Sequence, residues 1–324
     1  MRTSAKAVRI RPKPAGSSTI KRVLGLALRL TLTAGAMIVA YALSTMVMGG
    51  STVSLTEEQA NRAGAALVAV SLINALVLGS AILRSSWHGL RLIAAVSLLQ
   101  FGVETFMGQL ETLYYNDALL LAPADLVALV AAGALRALLF APAAVLILGK
   151  MRRGGREERV GTRTIRSSWA SRFAAVTVLY VIVYFLFGYL VAWQWEAVRL
   201  FYSDGSALKP FFAHFRDLFL REDPLVLPFQ LLRGALWAGL ASLIVRMIHG
   251  RRWEAALATA AIFAALLAVP VGLFPNPYMP DLVREAHFYE ILSSMLLFGG
   301  LAGWLLHGPG RPDGTAAARR TSGT

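Results

Sequence analysis

The sequence predicts an all-α membrane protein, a polytopic bundle of about eight transmembrane helices with both termini on the cytoplasmic side. Three observations lead there. Of 324 residues, 56% are hydrophobic and only 15% are charged, where a soluble domain is nearer a quarter charged. The apolar residues gather in eight long runs, each close to the roughly 20 residues that cross a hydrocarbon core of about 30 Å. These runs lack the in/out alternation that membrane strands require.

Taken in order, the spans fall near 23–47, 63–83, 90–110, 123–149, 172–194, 226–247, 253–274 and 287–306. The first follows a basic tail, 1–22, rich in Ser, Thr and Pro. It is longer than the apolar core of a cleaved secretory signal, about 7–15 residues, so it is expected to stay as an anchor. The second and third are short-looped neighbours and should pack as an antiparallel hairpin. The fourth opens with Pro123 and Asp125, a helix-start pattern suited to the dipole. The fifth carries Tyr180, Tyr184 and Tyr189, then Trp193 and Trp195, read as an interfacial aromatic belt and packing. The sixth and seventh are joined by a short loop. The eighth follows Pro280-Asp281 and contains Gly299-x-x-x-Gly303, a close-packing motif.

The bundle thus covers 23–308, with a basic cytoplasmic loop at 150–171, a long outer loop at 195–225 and a disordered tail at 309–324. In the outer loop, Phe211, Phe212, Phe215, Leu218 and Phe219 recur at helical spacing, with Arg216, Asp217, Arg221 and Glu222 between them. An amphipathic helix lying at the interface is expected, as a lid or as an edge anchor.

The net charge of +14 is explained by the positive-inside rule. With eight spans and the N-terminus inside, cytoplasmic tails and loops hold 23 of the 32 Lys and Arg. Outer loops hold 6, and Arg29, Arg136 and Arg233 lie within spans. A bacterial plasma membrane is the expected location. The expected partners are the bilayer itself, anionic lipid at the basic cytoplasmic face, and a small solute or lipid substrate; nucleic acid is not expected. With no cysteine, disulfides, thiolate nucleophiles and iron–sulfur clusters are excluded. Of five histidines, only His287 sits where a span begins, so no buried bis-histidine haem is expected, and the residues name no cofactor. Walker A, GxGxxG, HExxH and GxSxG patterns are absent.

What lipid would not tolerate without a reason lies on one side. Of 18 acidic residues, only Glu157, Glu158, Glu254 and Asp313 belong to the inner side. Glu104 in span 3, Arg136 in span 4 and Arg233 in span 6 fall at similar depths, which predicts mutual pairing, since an isolated charge at a helix centre costs about 2.5–3.5 kcal/mol. Gln100, Glu104, Gly108 and Glu111 share one face of span 3. Span 6 adds Gln230 beside Arg233, and span 8 carries His287 and Glu290 three residues apart with Ser294 on the same face. Glu104, His287 and Glu290 are the candidate proton-handling or catalytic groups. Gln100, Glu111, Arg136, Glu196, Gln230 and Arg233 are the candidate substrate-binding groups.

An internal repeat is also suggested, Gln109-Leu-Glu111 through Arg136 matching Gln194-Trp-Glu196 through Arg233, with Asp117 matching Asp204. Three functions fit: a small-solute or ion permease, possibly proton-coupled, with the arginines holding an anionic group; a membrane enzyme acting on a lipid-type substrate at the outer leaflet, with His287, Glu290 and Glu104 as acid–base or metal-binding groups; or an assembly protein whose buried charges only fix helix packing.

Overall fold

The computed structural model describes residues 15–46, 57–152, 168–203, 205, 207–248, 250–276 and 278–307. Expectations for residues 1–14, most of the loop 150–171, Asp204, His249 and the tail 309–324 lie outside the described residues.

All eight expected spans are present as helices long and apolar enough to cross a membrane. They are α1 (Ala15–Thr45), α2 (Glu57–Arg84), α3 (Gly89–Phe101) continued through a π turn (Gly102–Phe106) into α4 (Met107–Tyr114), α6 (Pro123–Ile147), α7 (Ser168–Leu190), α10 (Val226–Met247), α11 (Arg252–Leu273) and α12 (Asp281–His307). Short helices α5 (Asn116–Leu119), α8 (Glu196–Tyr202) and α9 (Phe211–Asp217) lie between them, all at one end of the bundle. No strand occurs among the described residues, only an isolated bridge between Ser85 and Ile248.

Several helices start earlier than the expected spans, α1 at Ala15, α2 at Glu57 and α12 at Asp281 among them. Glu57 and Glu58 form the first turn of α2 rather than a loop, where the positive end of the helix dipole favours them. α12 begins at Asp281, whose carboxylate takes Arg284 Nη2 at 2.9 Å. His287 therefore sits about 9 Å along the helix instead of at its entrance.

α11 is the central helix, with a continuous buried run from Ile262 to Ala268, as expected of a helix apolar on all sides. It packs against α12 more extensively than any other pair does. The reason is the glycine motif. A Cβ at Gly299 would lie 2.8 Å from Ala260 Cα, and one at Gly303 would lie 2.7 Å from the Ala255 carbonyl oxygen. The two backbones touch. α7 packs on α10, and α1 lies against both α2 and α6, while one flank of α1 (Leu24, Leu28, Leu32, Val39) stays exposed as a lipid-facing surface would.

The two ends are built differently. At the end where α2 meets α3 and α10 meets α11, arginines lie over tryptophans: Arg91 over Trp87 at 3.7 Å, Arg246 over Trp169 at 5.3 Å and Arg252 over Trp304 at 4.3 Å. Lys150 Nζ donates to the Ser85 carbonyl at 2.9 Å. Toward the opposite end, Arg136 and Arg233 turn inward.

The amphipathic helix of the long loop is present as α9 followed by a π turn (Leu218–Glu222). Phe215 and Phe219 pack edge-on against Phe185 of α7, and Phe211 against Tyr189. Phe212 does not share that face and is 85% exposed. Lys209 holds the polar side together, reaching Glu222 at 2.6 Å and Asp217 at 3.4 Å.

Candidate functional site

A cavity of about 1520 Å³ occupies the end of the bundle that carries α5, α8 and α9. Tyr41, Glu104, Glu111, Arg136, Arg233, His287 and Glu290 all line it. Three clusters of polar side chains stand on its wall.

The deepest is built on the π turn of span 3. There the Met107 N–H reaches back five residues to the Gly102 carbonyl, inserting one extra residue into the helix at Glu104. Such bulges are rare and cluster at functional places. Gly102 has no side chain, so Leu240 of α10 seats against it; a Cβ there would lie 2.8 Å from Leu240 Cδ2. On the other flank Gly133 of α6 approaches so closely that a Cβ would meet Thr105 Oγ1 at 2.1 Å. That contact brings Arg136, one turn on, to the carboxylate. Arg136 Nε lies 3.4 Å from Glu104 Oε1, and Arg136 Nη2 donates to Thr105 Oγ1 at 3.4 Å. The Nε–carboxylate contact is a charge contact without hydrogen-bond alignment, since Nε has no hydrogen-bond partner. Glu104 accepts from Gln100 Nε2 at 3.2 Å and from the Tyr41 hydroxyl. Tyr41 in turn takes Asn74 Nδ2 at 3.4 Å, and the Arg136 guanidinium sits 4.2 Å over its ring.

The second group is centred on Arg233. Nη2 donates to Glu111 Oε2 at 2.7 Å and Nη1 to Gln230 Oε1 at 3.0 Å. The rings of Tyr184, Tyr180 and Phe229 surround it at 5.5, 5.7 and 5.8 Å. Gly234 makes the position possible, because a Cβ there would lie 2.6 Å from the Thr177 carbonyl of α7.

The third is a relay on α12. His287 Nδ1 lies 2.8 Å from Glu290 Oε2, and Nε2 lies 3.1 Å from the Tyr202 hydroxyl. Tyr115 bridges the second and third groups. Its hydroxyl is 3.3 Å from that of Tyr184, and its ring stands edge-on to Tyr202 at 6.5 Å. Burial pushes the Tyr115 phenol up to about 12 and also raises that of Tyr202, so both stay protonated donors near neutral pH.

Several sequence expectations change here. Glu104 does not serve both arginines: Arg136 takes Glu104 and Arg233 takes Glu111, two levels along span 3 instead of one layer. Gln100 and Gln230 do not line the cavity; they sit behind the carboxylate and the guanidinium as buried supports. Glu196 is exposed in the first turn of α8 and does not line the cavity either. Glu104 is engaged with Arg136 and Tyr41, and His287 and Glu290 with each other and Tyr202, so the three do not form a metal-ligand set. No group of three or more His, Asp or Glu placed to hold a metal occurs among the described residues. Asp125 stands in the first turn of α6, as its helix-start pattern predicts, and also receives the Tyr278 hydroxyl at 3.2 Å. Tyr180 and Tyr189 are buried at 1% and 9% exposure, facing the bundle interior instead of forming a lipid belt. The repeat is not carried by local structure: Gln109 lies inside α4 while its counterpart Gln194 is in a 3₁₀ turn, and both arginines reach span 3.

Sequence reasoning missed Tyr41, Asn74, Tyr115 and Tyr202. Asn74 had a usable signal, an amide in the middle of an apolar span, which lipid disfavours without a partner. Tyr202 had none, since its role depends on where α8 folds back.

No protein-family model, no curated protein and no solved structure matches this chain.

Proposed function

We propose that this integral membrane protein is a permease whose cavity captures a small organic cation. One observation carries the reading. The cavity is lined by six carboxylates, Glu104, Glu111, Asp117, Glu222, Asp223 and Glu290, against two arginines, each already facing one of them, while Lys209 meets Glu222 at 2.6 Å. The excess negative charge stands among tyrosine rings, and aromatic faces with acids are what quaternary and protonated amines favour. Arg233 uses both terminal nitrogens within the chain, which argues against an anion as its ligand. The volume exceeds the usual 300–1,000 Å³ of a ligand pocket, leaving room for solute with water. By the positive-inside rule the cavity faces away from the cytoplasm. Histidine ordinarily titrates in the physiological range, so the Tyr202–His287–Glu290 relay is the group that would couple proton movement to solute.

A second reading, an assembly protein, is favoured by the pairing of each arginine with a carboxylate of the chain itself, which helix locking alone would explain. The outer-leaflet enzyme is less supported, because both ring nitrogens of His287 are engaged by the protein itself.

The test is uptake of tetraethylammonium, choline and ethidium into liposomes carrying the purified protein, with and without an imposed pH gradient. Gradient-dependent uptake of at least one, lost in Glu290→Gln at unchanged expression and melting temperature, is expected. Uptake no greater than in empty liposomes, together with no binding of the three cations in detergent, sinks the permease reading and leaves the assembly protein.

A further inference from the structure

A second cavity, of about 660 Å³, lies on the flank of the bundle away from the charged cluster. Its walls come from span 3, α7 and α10, and they are almost wholly apolar: Leu98, Phe101, Phe106, Phe173, Leu236 and Leu240. Gly239 opens its floor, with no atom within 4 Å of where a Cβ would stand. Leu98 is 54% exposed and Phe106 38%, so the groove is open along its length to whatever surrounds the bundle.

One end of the groove is different. Trp87, Trp169 and Arg246 close it, and both tryptophans carry an arginine over the ring, Arg91 on Trp87 and Arg246 on Trp169. One guanidinium, that of Arg246, therefore lines one mouth of an apolar slot, and a second, that of Arg91, lies over the Trp87 ring of the same mouth. One helical turn inward from Arg246, Ser242 lines the groove, is 7% exposed, and its hydroxyl has no partner within the chain. From Arg246 to Ala235 the slot runs about 16 Å along α10, which is half of a hydrocarbon core of about 30 Å.

These dimensions and groups match one kind of molecule. We propose that the groove holds a single anionic phospholipid, its phosphate between Arg91 and Arg246, its ester region at Ser242 and one acyl chain along Gly239, Leu236 and Phe106. Arginines favour phosphate as a bidentate partner, and tryptophans favour the interfacial level at which they stand. A serine one turn below an arginine lies at the depth where a glycerol ester follows a phosphate. The groove reaches the π turn itself, since Gly102 and Phe106 line it from the opposite side to Glu104. A bound chain would thus press on the backbone that positions Glu104. This inference does not depend on what the large cavity carries.

Native mass spectrometry of the detergent-purified full chain tests it, with phosphatidylglycerol and phosphatidylcholine added separately. One tightly retained phosphatidylglycerol per chain is expected, with phosphatidylcholine weaker by about fivefold or more. Gly239→Phe should abolish the retained equivalent. Arg246→Gln, at an exposed position where the only packing lost is the contact with the Trp169 ring, should weaken it by about fivefold while melting temperature changes little. Equal retention of both lipids, or retention unchanged in Arg246→Gln, overturns the proposal. So does a dimer that Gly239→Phe dissociates, since the groove would then belong to a second copy of the chain.

Discussion

Arg136 and Arg233 sit in pairs that are mirror images in burial. In the first, the carboxylate is hidden: the Glu104 side chain is 2% exposed and Arg136 16%. In the second, the arginine is hidden: Arg233 is 2% exposed and Glu111 32%. The difference matters because the two ions have different escapes. A stranded carboxylate can take up a proton and become neutral, whereas a guanidinium in a protein cannot lose one. The Arg233 pair is therefore the one the fold cannot lose half of, and the Glu104 pair is the one that can change state.

The largest expected effect comes from stranding the arginine. Glu111→Leu should destabilise the protein by about 3–5 kcal/mol, read as loss of a folded fraction in denaturant or as a collapsed melting temperature. Adding Arg233→Met should restore most of it, since an apolar pair of similar volume is often neutral. If the double variant is as unstable as the single, the cost lies in packing and the burial comparison fails. The double variant also separates the two functional readings, because a stable charge-free protein that no longer binds cations points to function rather than to helix locking.

A smaller effect should follow from Gly133→Ala. The added methyl group meets Thr105, and overpacking of this kind costs about 1–3 kcal/mol. Thr105→Ala in the same chain should relieve it, and a melting temperature that does not recover would show that the helix approach is not the cause. Next comes Arg136→Met, expected to cost less than Glu111→Leu in the same assay because Glu104 can accept a proton and keeps its Tyr41 and Gln100 partners. Equal costs would mean that exposure does not separate the pairs.

The smallest expected effect lies in the loop, at His214. It is 8% exposed between the rings of Tyr189 and Trp193, and burial lowers its pKa below the usual 6.5. The released chain then binds a proton before the docked one does, so docking of α9 should weaken as pH falls from about 6.5 through the lowered value. Faster hydrogen exchange over 211–222 at pH 5 than at pH 7.5, after correction for intrinsic rates, is expected. Flattening of that difference in His214→Gln would assign it to the imidazole, and its persistence would not.

The spans were legible because length and apolarity alone decide them, and the three intramembrane charges Glu104, Arg136 and Arg233 were legible because lipid makes such residues conspicuous. The i, i+3 spacing of His287 and Glu290 survived for the same local reason, a helix face being computable from sequence. The partner choice was not legible. It depends on one extra residue in span 3, and helical periodicity assumes that no such residue is present. The tyrosines were read as belt and packing together, and Tyr180 and Tyr189 bear out only the packing, because a phenol suits a membrane interface and a buried polar cavity equally well. Only the rotation of α7, set where Gly234 meets Thr177, decides between them.

That extra residue has a consequence for how the chain could change through insertions and deletions. Removing Phe106, which follows Glu104 in the π turn, would leave a regular helix, with no hydrogen bond lost overall. Everything beyond it would then turn by about 100° around the axis. Glu104 would keep its neighbours while Glu111 swung away from Arg233. The two carboxylates of span 3 thus share a cavity through the length of the chain between them, and a deletion too small to shorten the span noticeably would be enough to part them.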